Sequence, residues 1–314
     1  MKKNFVWYGV FFVIAIIYPH FVDPSWVDIG TTFALYSVVA LSQDIVLGKA
    51  GMFDMGHATF FGIGAYTAAI LNTTYNIPIM YTIPIAIALS ALFGIIISWP
   101  IIHLRGDYLL VATIGFNIIF YQALQNNVFG LTGGPNGIFG IGTPVIFGIN
   151  IASQKAIYYF AWFILLITML IIYNIDKSKL GRAFHYLRES EVAAESFGVN
   201  KRFYKVLAFA LGAGLASLAG VIFAVQYAAV SPETFNFTQS VLFFTIVIVG
   251  GPSSIPGILL GTFVMFVVPQ FFREFATARY FVFGIAMILT MILRPQGIWP
   301  VRFGKLPKYI FKES

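Results

Sequence analysis

The chain has 314 residues, 59% hydrophobic and only 10% charged, with a mean hydropathy of +0.86; ordinary soluble domains are about 25% charged, so a soluble globular protein is excluded. In such a chain a net charge of +7 reports membrane orientation rather than a nucleic-acid partner. There is no cysteine, which excludes disulfides and thiolate metal sites.

The N-terminus, Met1-Lys2-Lys3 and an apolar run to Tyr18, has the outline of a signal peptide. It lacks a small-x-small cleavage site before Pro19, so we read residues 4–19 as an uncleaved first span. Runs able to cross about 30 Å of hydrocarbon at about 1.5 Å per residue follow at 30–47, 51–71, 79–102, 108–126, 156–175 and 204–229. Shorter or interrupted runs lie at 239–250, 255–272 and 279–293. This predicts an all-α, polytopic transmembrane helical bundle of about ten spans, one domain over residues 1–314. With both termini cytoplasmic (N-in/C-in), sixteen of the nineteen basic residues fall inside, leaving only Lys155, Arg273 and Arg279 outside, the bias expected of a correct topology. Reading 239–272 as a re-entrant hairpin instead of two spans keeps the same parity.

Several runs are interrupted. The third begins GKAGMFDMGHATFFGIGAY, and counted from His57 alone it spans only about 22 Å, so it is frayed or broken near its cytoplasmic end. The eighth is short and followed by GGPSSIPG from Gly250 to Gly257. Paired interrupted segments point to a transport pathway; the alternative is that the glycines serve close helix packing. The external loop, 127–155, is rich in Gly, Pro and Asn. Turns and a short hairpin are expected there, as a docking site for a solute-delivering partner or as an inert cap.

Asp44 is the one acid well inside a span. Either it lines a solute path with Gln43, or it pairs with Lys49 and reaches interfacial water. Asp54 is placed to cap the third helix. His57 reads first as a hydrogen-bonded packing residue and second as a proton relay. Thr113, Asn117 and Gln122 dot the fifth span, where polar groups join helices or face a pore. The candidate path is therefore Gln43, Asp44, Asp54, His57, Thr113 and Asn117. No phosphate loop, H-E-x-x-H or G-x-S-x-G motif occurs, so no catalytic, metal or ATP site is assigned.

The longest polar stretch, 176–205, holds eleven of the charged residues. It is too short for a domain and longer than a helix–helix turn requires. Within it Ser190 can cap a helix from Glu191 to Phe197 that Gly198 terminates, with Glu191 at the positive end of the helix dipole. Ala193, Ala194 and Phe197 share one face by spacing, a plug for a groove on a cytosolic partner; the alternative is a solvated, orientation-setting loop.

GRAFHYLRESEVAAESFGVN at 181–200 resembles the cytoplasmic coupling segment of ABC importer permeases of the branched-chain amino-acid (LivM-type) family. GHATFFGIGAYTAA (56–69), LRGDYLLVATIGF (104–116), LTGGPNGI (131–138), SPETFNFTQS (231–240), GGPSSIPGILLG (250–261) and RPQGIWP (294–300) agree with it in order. The resemblance implies a permease subunit in a bacterial inner membrane, working with a second permease (a heterodimer), two cytosolic ATPases that bind the ATP, and an extracytoplasmic solute-binding protein, and needing no cofactor of its own. By position it assigns ATPase coupling to Arg182, Arg188, Glu191, Ala193, Ala194 and Gly198. The chain departs from the family where its usual Glu and Arg of the fifth span are Ile118 and Tyr121, and across the second loop, where the family commonly reads L-N-L-V-x-G-Y-A-G-L-L-S-L-G-H and this chain has Gln43, Asp44, Lys49 and Asp54. Relatives that carry urea, amides or other amino acids therefore stay open, as does a stand-alone transporter or channel; a membrane enzyme ranks last.

Overall fold

The computed structural model describes residues 13, 15–104, 106–146, 149–272, 284, 288 and 297–299. Most of the expected first span, nearly all of the last, Arg105, Arg273, Arg279 and the terminal basic residues lie outside the described residues.

Within them the chain is helical almost throughout. In order come α1 (Pro24–Asp44), α2 (Ala58–Thr73), α3 (Ile79–Ile101), α4 (Asp107–Gln125), α5 (Gln154–Lys177), α6 (Lys179–Glu189), α7 (Glu191–Ser196), α8 (Lys201–Tyr227), α9 (Phe237–Gly250) and α10 (Ile255–Thr262). A π-helical turn, Ile45–Lys49, extends α1, and π and 3-10 turns carry α10 on to Phe272. Among the described residues six helical segments are long and apolar enough to cross a membrane. The short α2 is not one of them: its sixteen residues reach about 24 Å.

Short polar residues cap six of these helices, because the first turn of a helix has N–H groups with no internal acceptor. Ser153 caps α5, Ser178 caps α6, Ser190 caps α7, Asn200 caps α8, Asn236 caps α9 and Ser254 caps α10. Gly198, at φ +78°, closes α7 in the left-handed region that favours glycine. Short polar caps at 178, 190 and 200 thus cut the long polar stretch into two small helices.

α1 and α8 form the core, and α8 lies against α1, α2, α3 and α5. A Cβ on Gly64 of α2 would enter the backbone of Ser217 in α8, and one on Gly220 that of Phe61. In lipid the hydrophobic effect does not press helices together, so such close backbone approach supplies the packing attraction. Phe61 is wholly buried and meets Tyr36, Phe223, Phe235 and Phe243 edge-on, with centroids 5.2–6.3 Å apart, the favoured geometry for aromatic quadrupoles. α3 turns Tyr81, Leu92, Ile96 and Trp99 outward, an apolar surface of the kind lipid requires.

Successive antiparallel helices give the bundle two ends. One carries α6, α7, Lys49 and the turn between α9 and α10. The other carries the loop after α4, in which Val145–Ile146 (β2) pairs with Ile149–Asn150 (β3), the expected hairpin, and Ile138–Phe139 (β1) pairs with Ala229–Val230 (β4).

Candidate functional site

The third span is broken, as its composition predicts. After the π turn ends at Lys49, residues 50–57 are non-helical, and α2 starts only at Ala58. His57 is level with Ser42, seven positions back along α1, so the irregular segment climbs about 10 Å into the bundle. Side chains meet its polar backbone there: Gln43 Nε2 donates to the Asp54 carbonyl at 2.8 Å, the Met55 amide donates to Thr113 Oγ1 at 3.0 Å, and the Ala58 amide donates to Ser240 Oγ of α9 at 3.1 Å. Irregular backbone at this depth is tolerated because protein groups satisfy it.

A second segment outside the α-helices, 231–236, with a 3-10 turn over Pro232–Phe235, comes in from the opposite end. Asn117 of α4 joins the two, donating from Nδ2 to Thr59 Oγ1 at 3.1 Å and to the Phe235 carbonyl at 3.2 Å. The pair of interruptions expected from sequence was the start of the third run and Gly250–Gly257. Both interruptions are present, at 50–57 and 251–254, but they lie apart: residues 231–236 meet the start of α2, while 250–257 forms the hairpin turn beside α6. Gly250 and Gly257 lie so close that a Cβ on either would enter the other's backbone, and this bends the chain between α9 and α10.

At the break, Asp54 Oδ2 lies 2.9 Å from His57 Nδ1, and His57 Nε2 lies 2.9 Å from Ser42 Oγ. Asp54 does not cap α2, contrary to expectation. Its other oxygen accepts the Gly56 amide at 2.8 Å, so it braces His57 and the turn before the helix. The Asp–His–Ser order resembles a hydrolase relay, but the three side chains are buried and the Ser42 hydroxyl donates to the Val39 carbonyl at 2.7 Å; the arrangement holds the break together. Ser42 and Ser240 were not picked out from sequence, since a serine in an apolar helix carries no local signal of its distant partner.

Two buried amide oxygens at this centre, Gln43 Oε1 and Asn117 Oδ1, have no partner. Their amide nitrogens are fixed as donors by the carbonyls they reach, so the oxygens are acceptors. A crevice at the break is lined by Asp54, Gly56, Thr59 and Thr113 and walled by Phe116 and Phe209. On α4, Thr113, Asn117, Tyr121 and Gln125 recur every fourth residue, a polar stripe on one face. At its far end Tyr121 OH donates to Glu233 at 2.5 Å and Gln125 to the same carboxylate at 3.0 Å. That period was readable; Glu233 was not, lying over a hundred residues away. Gln122 is exposed, outside this face.

Asp44 stands apart from this centre. It is buried, accepts the Ser253 amide at 2.7 Å and lies 3.8 Å from Lys49, which bonds Asp176 at 2.6 Å.

At the α6–α7 end, α7 runs Glu191–Ser196 with Ser190 accepting the Ala193 amide at 3.3 Å. Val192, Ala193 and Phe197 are exposed, Phe197 at 82%. Ala194 faces inward at 1% exposure, which corrects the expectation that it shares the outward face. Glu191 is paired with Lys205 at 2.6 Å, locking α7 to α8. Arg182 is exposed, while the Arg188 guanidinium reaches back to the bundle and donates to the Gly48 carbonyl at 2.6 Å.

Residues 25–291 match the family described as branched-chain amino acid transport system / permease component. The chain belongs to this family. It is 34% identical to the high-affinity branched-chain amino acid transport system permease protein LivM of Escherichia coli K12, covering 92% of this chain and 73% of that one. It is 29% identical to BraD of Pseudomonas aeruginosa (86% and 92%) and 25% identical to LivH of Escherichia coli K12 (87% and 92%). No solved structure matches it. As a member of this permease family the chain is a multi-pass inner-membrane transport component and not an enzyme.

Proposed function

We propose that the chain is the translocating permease subunit of an ABC importer for an amino acid of the branched-chain class, with about ten spans and both termini cytoplasmic. It pairs with a second permease, is driven by two cytosolic ATPases that bind the ATP, and receives solute from an extracytoplasmic binding protein. The observation that carries this reading is α7, a capped helix on a polar stretch between two spans that holds Phe197 and Val192 out where a cytosolic groove can take them. The solute path runs over Gln43, Asp54, His57, Thr113 and Asn117, where two irregular segments meet at mid-bundle. Asp44 belongs with coupling rather than the path, because its carboxylate is engaged toward the α6 end.

The test is reconstitution. Co-expressed with its second permease and the ATPases, the chain is expected to co-purify with both and, with binding protein present, to carry leucine into liposomes only when ATP is supplied. Leucine transport by the purified chain alone would overturn the reading.

A further inference from the structure

We propose, on the importer reading above, that Asp44 and Ser253 are positioning residues through which movement of α6 and α7 reaches the broken start of α2. Arg188, in the last turn of α6, donates to the Gly48 carbonyl at 2.6 Å and to Ser253 Oγ at 3.0 Å. The Ser253 hydroxyl donates to the same Gly48 carbonyl at 2.8 Å, and its amide donates to Asp44 Oδ1 at 2.7 Å. Four chain segments, the end of α6, the end of α1, its π turn and the turn between α9 and α10, are thereby tied in one knot.

The backbone is shaped for this knot. Ser253 has φ +67°, a left-handed conformation that strains a non-glycine residue and persists only where the surroundings impose it. A Cβ at Gly48 would strike the Asp44 carboxylate, and one at Gly51, φ +70°, would press on the Arg188 backbone at 3.1 Å. Glycine at 48 and 51 lets α6 sit directly on the π turn.

Consecutive residues then lead inward. Asp44 holds the Ser253 turn, Gln43 holds the Asp54 carbonyl, and Ser42 holds His57. A displacement of α6 pulls Gly48 and Ser253 through charge-assisted hydrogen bonds, which resist stretching more than neutral ones. The surrounding apolar helix faces can slide. The end of α1 moves with the knot and carries residues 54–57, hence the first turn of α2, with it. The π turn supplies compliance, its wider hydrogen-bond ring being a common place for a helix to shift.

The experiment uses the assembled importer in liposomes and the fact that the chain has no cysteine. Spin labels are attached at Phe53→Cys, on the irregular segment, and Tyr75→Cys, beyond α2, both exposed. ATP is expected to change their separation in the otherwise native chain. Arg188→Ala deletes the guanidinium. Ser253→Gly deletes the hydroxyl yet keeps the amide bond to Asp44 and accepts the left-handed φ, so it preserves the fold. Ser253→Gly is expected to hydrolyse ATP within about twofold of the unsubstituted complex while the ATP-shifted population falls at least about fivefold, and Arg188→Ala, in the coupling segment itself, to lose the shift at least as fully. An unchanged shift in Ser253→Gly, or hydrolysis and shift lost in parallel in that variant, overturns the inference and leaves the importer reading standing. Failure of the unsubstituted chain to capture the ATPases overturns both.

Discussion

His57 Nε2 lies 2.9 Å from Ser42 Oγ, and this contact sets the depth at which α2 begins. The imidazole is held from its other side by Asp54, so a buried acid, a base and a hydroxyl fix one register between the end of α1 and the start of α2. Removing His57 leaves Asp54 Oδ2 buried without its hydrogen bond, which costs about 1–3 kcal/mol. His57→Ala is therefore expected to lower the melting temperature in detergent sharply, and Asp54→Ala combined with it to recover part of the loss. Simple additivity of the single effects would show that the two side chains do not act as a pair.

Asn117 separates path from packing. Asn117→Ala removes the bridge between Thr59 and Phe235 along with the free acceptor. If the path crosses this centre, leucine uptake falls about tenfold or more while ATPase capture is unchanged. Uptake within about twofold of the unsubstituted chain would remove Asn117 from the path.

On α7 the outward and inward faces are expected to fail differently. Phe197→Glu places a charge on an exposed position and should abolish co-purification of the ATPases with the melting temperature unchanged. Ala194→Glu forces a carboxylate against the bundle, where an unpaired charge costs several kcal/mol, and should lower the melting temperature first. Equal loss of capture at unchanged stability in both variants would mean that α7 turns over on binding.

Gly64→Val tests the packing of α2 on α8. With Ser217 backbone where the new Cβ would stand, overpacking of about 1–3 kcal/mol is expected, read as a lower melting temperature with the spectral helix content retained. A wild-type melting temperature would mean that the two helices part without cost.

Much of this protein is legible along the chain because the signals are local. Hydropathy marks the spans, since every backbone polar group in lipid must be satisfied within its own helix. Ser190 and Gly198 mark the ends of α7 through cap chemistry that depends only on neighbouring residues, and the glycines, Asp54 and His57 mark the break in the third span.

What the tertiary structure alone decides is which distant groups complete one another. That Asp54 braces His57 and His57 reaches Ser42, that residues 231–236 meet the start of α2 through Asn117, that Ala194 faces inward, and that Arg188 turns to Gly48 and Ser253 all depend on how the segments pack. A polar side chain in an apolar helix announces that it needs a partner. Which partner it finds is set by helix rotation and depth, and these follow from the close fit of small residues across α2, α3 and α8.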